Sequence, residues 1–241
     1  MTYSDFGKRV DNLRSGLSQL GIQKDDAVGI ICNNSTDWAI CFFAISGLDA
    51  RFVPMYEAEL AQVWKYIIND AQIKLLFISK KEIYAKIKDA LSSIPTLQKV
   101  IIMEGDRPDT MANLEKKGAT KKVKSIYPDQ SSICVLIYTS GTTGDPKGVL
   151  LSQASAVTVC FPDISENDTS LSILPWAHVF GLGELVVYCL LGASMGLAGS
   201  AATIPEDLLL IKPTFMTVVP RVSNKVYDGL WTKMNEEGGL A

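Results

Sequence analysis

Apolar residues recur along the chain in two alternating patterns, one with the spacing of a helix and one with the continuity of a buried strand. The opening segment places Phe6, Val10 and Leu13 three or four residues apart, which predicts an amphipathic helix that covers one face of a core. Thr2 can cap its start and Gly21 can end it. The first element is therefore expected to be a helix over roughly the first twenty residues.

Short apolar runs then alternate with helical segments as far as Met103. Strands are expected within residues 26–32, 51–55, 73–79 and 97–103, and helices within residues 35–50, 59–70 and 80–91. This alternation predicts an α/β fold with mainly parallel sheets flanked by helices. Residues 104–130 lose the periodicity and gather Gly, Pro and Lys, so a connecting segment is predicted there.

The second half repeats the alternation, with a loop between two apolar strands at its start. Further strands are expected within residues 131–139, 147–152, 169–174, 193–198 and 214–219, and helices after residue 152, from Phe180, at Pro205 and over Pro220–Asn235. Leu185–Ile204 carries no charge, but its glycines favour a buried helix, a turn and a short strand over a membrane span. Two subdomains are predicted within residues 1–241, at about 1–130 and 131–241.

Composition excludes several classes of protein. Apolar residues make up 47% and charged residues 20% of 241, which is ordinary for a globular protein and argues against disorder. The net charge of −3 predicts no nucleic-acid partner, and the basic stretch Lys116–Lys124 is interpreted as a solvated connection. The single histidine, His178, excludes a site of several histidines. The amphipathic, charged start lacks the pattern of a signal peptide, so a cytoplasmic protein is expected.

The cysteines agree with that location. They are odd in number, widely spaced and surrounded by apolar residues, which predicts reduced core residues rather than disulfides. They are Cys32, Cys41, Cys134, Cys160 and Cys189.

The strongest chemical signal is the glycine-rich sequence YTSGTTGDPKGV, Tyr138–Val149. Its glycines allow successive backbone N–H groups to converge on one anion, and its hydroxyl groups add further donors. Lys147 supplies a compact positive charge just after Pro146. The lysine is followed by glycine and strand rather than by Ser or Thr and a helix, which excludes the common NTPase loop. A phosphate-binding loop between two strands is predicted.

This sequence resembles, position for position, the signature of the adenylate-forming enzymes, which include acyl-CoA synthetases, luciferases and the adenylation domains of peptide synthetases. The resemblance implies ATP, Mg²⁺ and coenzyme A as ligands, with Thr139 contacting the metal and Lys147 taking a catalytic part. The ATP phosphates would be held by Tyr138, Thr139, Ser140, Gly141, Thr142, Thr143, Gly144 and Lys147.

A second stretch, LPWAHVFG at Leu174–Gly181, follows a predicted strand, where open α/β sheets bind their ligands. A lone histidine is more often a structural residue, but this stretch looks like the long-chain fatty acyl-CoA version of the family. The resemblance implies that His178 positions the acyl carboxylate while Trp176 and Phe180 shape its apolar surroundings. Two further stretches, Asp25–Met55 and Val218–Leu230, are similar to the family's early sheet and to a helix entry of long-chain acyl-CoA synthetases.

Other family features are missing from these residues. No Y-G-x-T-E string, with its acidic metal ligand, occurs in the sequence, and the family's ribose-binding aspartate and C-terminal lysine are not found. The chain is therefore expected to be the N-terminal portion of a long-chain fatty acid–CoA ligase and to be inactive alone. Peripheral membrane association of the parent enzyme is left open. Two alternatives stay open: a catalytically silent nucleotide-binding module, and a ligase for an aryl or other carboxylic acid.

Overall fold

The structure is a computed structural model that describes residues 1–105, 109–139, 144–157, 164–200, 202–220, 222–224, 227–228 and 231–232. Its helices are α1 Tyr3–Gln19, α2 Thr36–Ser46, α3 Ala61–Asp70, α4 Lys81–Leu91, α5 Met111–Thr120, α6 Gln153–Val157, α7 Val179–Leu191 and α8 Ile204–Ile211. Its strands are β1 Ala27–Ile31, β2 Arg51–Met55, β3 Ile73–Ile78, β4 Lys99–Ile102, β5 Ile133–Thr139, β6 Lys147–Ser152, β7 Thr169–Ser172 and β8 Ser194–Leu197.

A six-stranded sheet in the order β4-β3-β1-β2-β5-β6 organises the larger part of the fold. Its first five strands run parallel and β6 is antiparallel to β5, so the predicted α/β class with a mainly parallel sheet is confirmed. The strands β1, β2 and β3 are almost wholly buried, as expected for a parallel sheet covered on both faces. The first helix is confirmed as well, with Thr2 accepting a hydrogen bond from Asp5 N–H at its start.

The two faces of the sheet have different partners. One face carries Val53, Met55 and Leu136, which pack in a core cluster with Trp64 and Ile67 of α3. The other face carries the alternate residues of the same strands, such as Phe52, whose ring centroid lies 4.8 Å from that of Trp38 in α2. Side chains at alternate positions of one strand therefore reach different partners.

The chain divides into two compact units. The first comprises Met1–Pro162 and Pro175–Gly192, and the second comprises Asp163–Leu174 and Ala193–Ala241. The division differs from the predicted one near residue 130, because β5 pairs with β2 and thereby joins the first sheet. In the second unit β7 and β8 pair in parallel and α8 contacts β7.

Helix α5 corrects the prediction of a connecting segment at 104–130. Thr110 caps it by accepting a hydrogen bond from Asn113 N–H at 3.4 Å, and the helix packs against α1. The helices approach so closely that a Cβ added at Gly118 would lie 1.8 Å from the carbonyl oxygen of Asn12. Close backbone packing on α1 therefore stabilises a segment whose sequence is too polar to indicate a helix.

The strand predicted at 214–219 was also wrong. Phe215 forms an isolated parallel bridge to Ser170, with the N–H groups of Thr214 and Phe215 both donating to the carbonyl of Thr169. Residues 216–219 have no strand structure.

The uncharged stretch Leu185–Ile204 begins as predicted, with a helix, a turn and a short strand. Helix α7 ends at Leu191 and is capped by Gly192, which has a φ of 73°, and β8 follows. Among the described residues, no helix is long and apolar enough to cross a membrane. Of the helix predicted over Pro220–Asn235, the described parts are helical: residues 220, 222–224, 227–228 and 231–232.

Candidate functional site

The predicted loop connects two strands of a hairpin, as the sequence indicated. Strands β5 and β6 pair in antiparallel fashion, with Thr139 opposite Lys147 and Tyr138 opposite Gly148. Directly opposed residues of an antiparallel pair project from the same face, with Cβ atoms about 5 Å apart. The hydroxyl-bearing Thr139 and the cationic Lys147 are both exposed. They therefore lie side by side at the end of the hairpin where the loop begins.

The two residue pairs face opposite sides of the sheet. Tyr138 packs against the core cluster that contains Trp64 and Ile67, so its side chain lies on the α3 face. Because strand residues alternate, the side chains of Thr139 and Lys147 lie on the α2 face. The sheet thus separates the anchoring side chain of the hairpin from the pair that is available to a ligand.

Two glycines shape the hairpin. A Cβ at Gly148 would lie 3.0 Å from Leu136 Cδ1 and 3.2 Å from Tyr138 Cζ, so the Tyr138 ring lies across the space that a larger residue would fill. Gly144 has a φ of 150°, which side chains disfavour. The predicted ligands Ser140, Gly141, Thr142 and Thr143 lie outside the described residues.

The side chains of the second predicted segment, Leu174–Gly181, differ in how deeply they are buried. Trp176 is 2% exposed, and its ring centroid lies 5.4 Å from that of Trp38. Phe180 is 37% exposed, and His178 lies exposed at the start of α7. His178 caps that helix, since its Nδ1 accepts a hydrogen bond from Phe180 N–H at 3.3 Å. Of the three, only His178 and Phe180 have substantial surface available for contact with a substrate.

Asn34 connects this segment to the sheet. Its Oδ1 accepts a hydrogen bond from Trp176 N–H at 2.8 Å, and it follows the carboxyl end of β1 by three residues. The hairpin leaves the same carboxyl edge, two strand spacings or about 10 Å away. Trp176 also packs on Trp38 of α2, which lies on the face from which Lys147 projects. The structure therefore brings both predicted segments to one edge and one face of the sheet.

An ion pair supports the loop that contains Asn34. Glu57, after β2, accepts hydrogen bonds from Asn33 N–H at 3.0 Å and from Lys80 Nζ at 3.1 Å. Burial disfavours the charged form of Glu57, but the neighbouring Ser79 side chain together with these donors outweighs burial and holds the pKa of Glu57 below its usual value. Sequence reasoning missed Asn34, Glu57 and Lys80, and the only available signal was that each follows the end of a strand.

Cysteine chemistry has no part in this site among the described residues. Cys32, Cys41, Cys134 and Cys189 are free, and the first three are buried. Burial raises the pKa of the thiols of Cys32 and Cys134 to about 11, which keeps them protonated and unreactive. Cys160 lies outside the described residues.

One family model matches nearly the whole chain. The family model described as "AMP-binding enzyme" matches residues 1–239. The chain belongs to the AMP-binding enzyme family. The resemblance inferred from the loop sequence is thereby confirmed.

Relatives of this chain are acyl-CoA synthetases. Long chain acyl-CoA synthetase 8 of Arabidopsis thaliana is 29% identical over 100% of this chain and 38% of its own length. Long chain acyl-CoA synthetase 5 of the same organism is 31% identical over 98% of this chain and 39% of its own length. The chain therefore spans about two fifths of the length of these relatives.

Solved structures share the fold of this chain. A long-chain-fatty-acid-CoA ligase from Archaeoglobus fulgidus has a TM-score of 0.83 and 23% identity, over 96% of this chain and 47% of that one. An anthranilate CoA ligase in complex with anthranoyl-AMP has a TM-score of 0.79 and 24% identity, over 90% of this chain and 44% of that one. These structures confirm the fold, while the site residues stay predictions.

Proposed function

We propose that this chain forms the ATP phosphate-binding part of a cytoplasmic long-chain fatty acid–CoA ligase. The observation that supports it best is the pairing of Thr139 with Lys147 at the loop end of a glycine-containing hairpin. The same edge and face of the sheet carry the segment with His178, so an activated carboxylate could lie beside the phosphates.

The hairpin suits a triphosphate on chemical grounds. An exposed ammonium beside an exposed hydroxyl offers a charge-assisted and a neutral hydrogen bond to phosphate oxygens. Gly148 leaves room for the Tyr138 ring on the opposite face, and that ring holds the strand next to Lys147 in place. Together with the predicted donors Ser140–Thr143, Lys147 would hold the β- and γ-phosphates.

Magnesium fits the same place. No group of three or more His, Cys, Asp or Glu that could hold a metal occurs in the described part of the chain. Mg²⁺ needs no such cage, because it commonly takes one or two protein ligands together with substrate phosphates and water. The Thr139 hydroxyl would supply one ligand, and the bound ion would neutralise charge on the phosphates.

The proposed chemistry makes a carboxylate reactive in two steps. A carboxylate oxygen attacks the α-phosphorus of ATP, the bond to pyrophosphate breaks, and an acyl adenylate forms. The thiol of coenzyme A then attacks the acyl carbon, loses its proton and displaces AMP. Lys147 contributes by stabilising charge on the departing pyrophosphate, and the site acts through positioning and electrostatics rather than through a covalent intermediate on the protein.

The acyl side of the site is proposed to use the exposed members of the second segment. His178 would position the carboxylate and Phe180 would offer an apolar surface. Trp176, buried against Trp38, would shape the surroundings from the interior by holding the segment in place. Similarity to long chain acyl-CoA synthetases supports a fatty acid rather than an aryl acid as substrate.

ATP–pyrophosphate exchange in the native protein that carries this sequence tests the proposal. We expect exchange with MgATP and palmitate and little with benzoate. Exchange with benzoate alone would favour an aryl acid ligase, and no exchange with any acid would favour a silent nucleotide-binding module. The 241 residues alone are expected to bind MgATP without forming acyl-CoA, as the remainder of the enzyme would complete the site.

Lys147→Ala tests the phosphate contact directly. Loss of a charged hydrogen bond worth about 1.5–3 kcal/mol should weaken MgATP binding by about 10- to 150-fold, measured by titration calorimetry. Lys88→Ala, which removes an exposed lysine from α4, is the matched control and should leave the affinity unchanged. Equal affinities of the wild type and Lys147→Ala would remove Lys147 from the site.

A further inference from the structure

The anchoring side of the hairpin has a polar partner outside the family signature. Asp70, the last residue of α3, accepts a hydrogen bond from the Tyr138 hydroxyl at 2.5 Å from its Oδ2. This separation is at the short end of the range for a hydroxyl bound to a charged carboxylate. The hydrogen bond joins residues 68 positions apart in the chain, and it ties the end of α3 to the end of β5.

Helix stability does not account for an acidic residue at this place. The carboxyl end of a helix carries partial negative charge, so a carboxylate in its last turn is disfavoured. The exposed side chain of Asp70 buries no apolar surface either. What its carboxylate provides is an acceptor for Tyr138, and the geometry points to that contact as its purpose.

Packing holds in place both the donor Tyr138 and the helix that carries the acceptor Asp70. Helix α3 is fixed to the sheet by buried Trp64, Ile67 and Ile68, and Trp64 Nε1 donates to the carbonyl oxygen of Tyr56 at 2.8 Å. The Tyr138 ring meets Tyr66 edge to face, with centroids 6.5 Å apart. Burial and the bond to Asp70 raise the pKa of Tyr138 well above its usual value, so the phenol stays a donor at any ordinary pH.

Fixing Tyr138 also fixes the residues that are proposed to bind phosphate. Thr139 is its neighbour in β5, and the Tyr138 ring lies across Gly148, the neighbour of Lys147 in β6. A shift of Tyr138 would therefore move both strand ends on the opposite face. The hydrogen bond between Tyr138 and Asp70 acts on Thr139 and Lys147 through the sheet, because the Asp70 carboxylate lies on the α3 face.

We propose that Asp70 is a positioning residue that sets the placement of Thr139 and Lys147 for binding the triphosphate of ATP. This inference rests on the proposed function, since it assumes that the hairpin binds phosphates. The carboxylate takes no part in the chemistry. It holds the tyrosine, the tyrosine holds the two strand ends, and the strand ends present the hydroxyl and the ammonium at a fixed separation.

Titration of the native protein that carries this sequence with MgATP and with magnesium tripolyphosphate tests the inference. Asp70→Ala and Tyr138→Phe should each weaken both ligands by about three- to tenfold, the effect of one lost hydrogen bond. The double variant should be no weaker than either single variant, because both changes remove the same bond. Asp70→Asn keeps an acceptor and should restore most of the affinity. Asp89→Ala, which removes an exposed carboxylate from α4, should change nothing.

The possible failures can be told apart. Urea unfolding of each variant identifies any that has lost its fold, and Tyr138→Phe, which removes one oxygen atom, keeps the test available if Asp70→Ala unfolds. A wild-type chain that binds neither ligand would overturn the proposed function and this inference with it. A wild-type chain that binds both ligands, with unchanged affinity in folded Asp70→Ala and Tyr138→Phe, would overturn the positioning role alone. Additive losses in the double variant would also overturn it.

Discussion

The contact between α1 and α5 predicts that one added methyl group destabilises the fold. In Gly118→Ala the new Cβ would lie 1.8 Å from Asn12 O and 2.5 Å from Gly16 N, both of them backbone atoms of α1. Ordinary contact begins at 3.4 Å, so α5 must retreat by about 1.6 Å, the difference between 3.4 and 1.8. No side-chain rotation can relieve this clash.

The expected free energy combines two opposed terms. Overpacking of this kind costs about 1–3 kcal/mol or more, and rigid backbone obstacles favour the upper end. Alanine gains about 1 kcal/mol over glycine through helix propensity. Gly118→Ala should therefore lower the free energy of unfolding by about 2 kcal/mol, visible as a lower midpoint in urea unfolding followed by circular dichroism.

Gly7→Ala is the matched control on the exposed side of α1. A Cβ at Gly7 has no atom within 4 Å, so only the propensity term applies, and a gain of up to about 1 kcal/mol is expected. The two substitutions are chemically identical and should have opposite signs. If Gly118→Ala proved as stable as the wild type, the close approach of α5 to α1 would be refuted.

Two further predictions concern the loops at the carboxyl edge of the sheet. The pKa of Glu57 is lowered in the folded state, so its contribution to stability is present above its unfolded pKa of about 4.3 and is lost as the pH falls through the folded value. Glu57→Gln should therefore flatten the fall of unfolding free energy below about pH 5, and an unchanged slope in acid unfolding would contradict the ion pair with Lys80. Asn34→Ala removes the acceptor of Trp176 N–H and should lower unfolding free energy by about 1 kcal/mol, whereas Asn34→Asp keeps an acceptor. Equal losses in both variants, measured by urea unfolding, would exclude that hydrogen bond as the cause.

The elements that the sequence predicted correctly are those whose pattern of apolar and polar residues lies within one short stretch of chain. The apolar runs of β1, β2 and β3 are buried in a parallel sheet, and their composition alone indicates that. The hairpin was predictable because its glycines and lysine lie between two apolar runs. Helix α5 was not, because its stability comes from backbone contact with α1 across about a hundred residues of sequence.

The residues of the candidate site fall into the same two groups, those marked by local sequence and those placed by distant contacts. Thr139 and Lys147 belong to one continuous motif, so the sequence identifies them as candidates without reference to the fold. Asp70 and Asn34 act through partners 68 and 142 residues away, and nothing next to them in the chain marks them. Whether Tyr138 faces the ligand or the core likewise depends on strand register, which only the folded sheet determines.

The antiparallel pairing of β5 with β6 limits how the loop between them can change over evolutionary time. Insertion or deletion of a single residue that shifted the pairing by one position would turn Lys147 to the α3 side, away from its threonine partner. The length of the loop is thus constrained by the sheet, in addition to any constraint that a ligand places on its residues. We therefore expect descendants of this sequence to keep the number of residues between Thr139 and Lys147 unchanged.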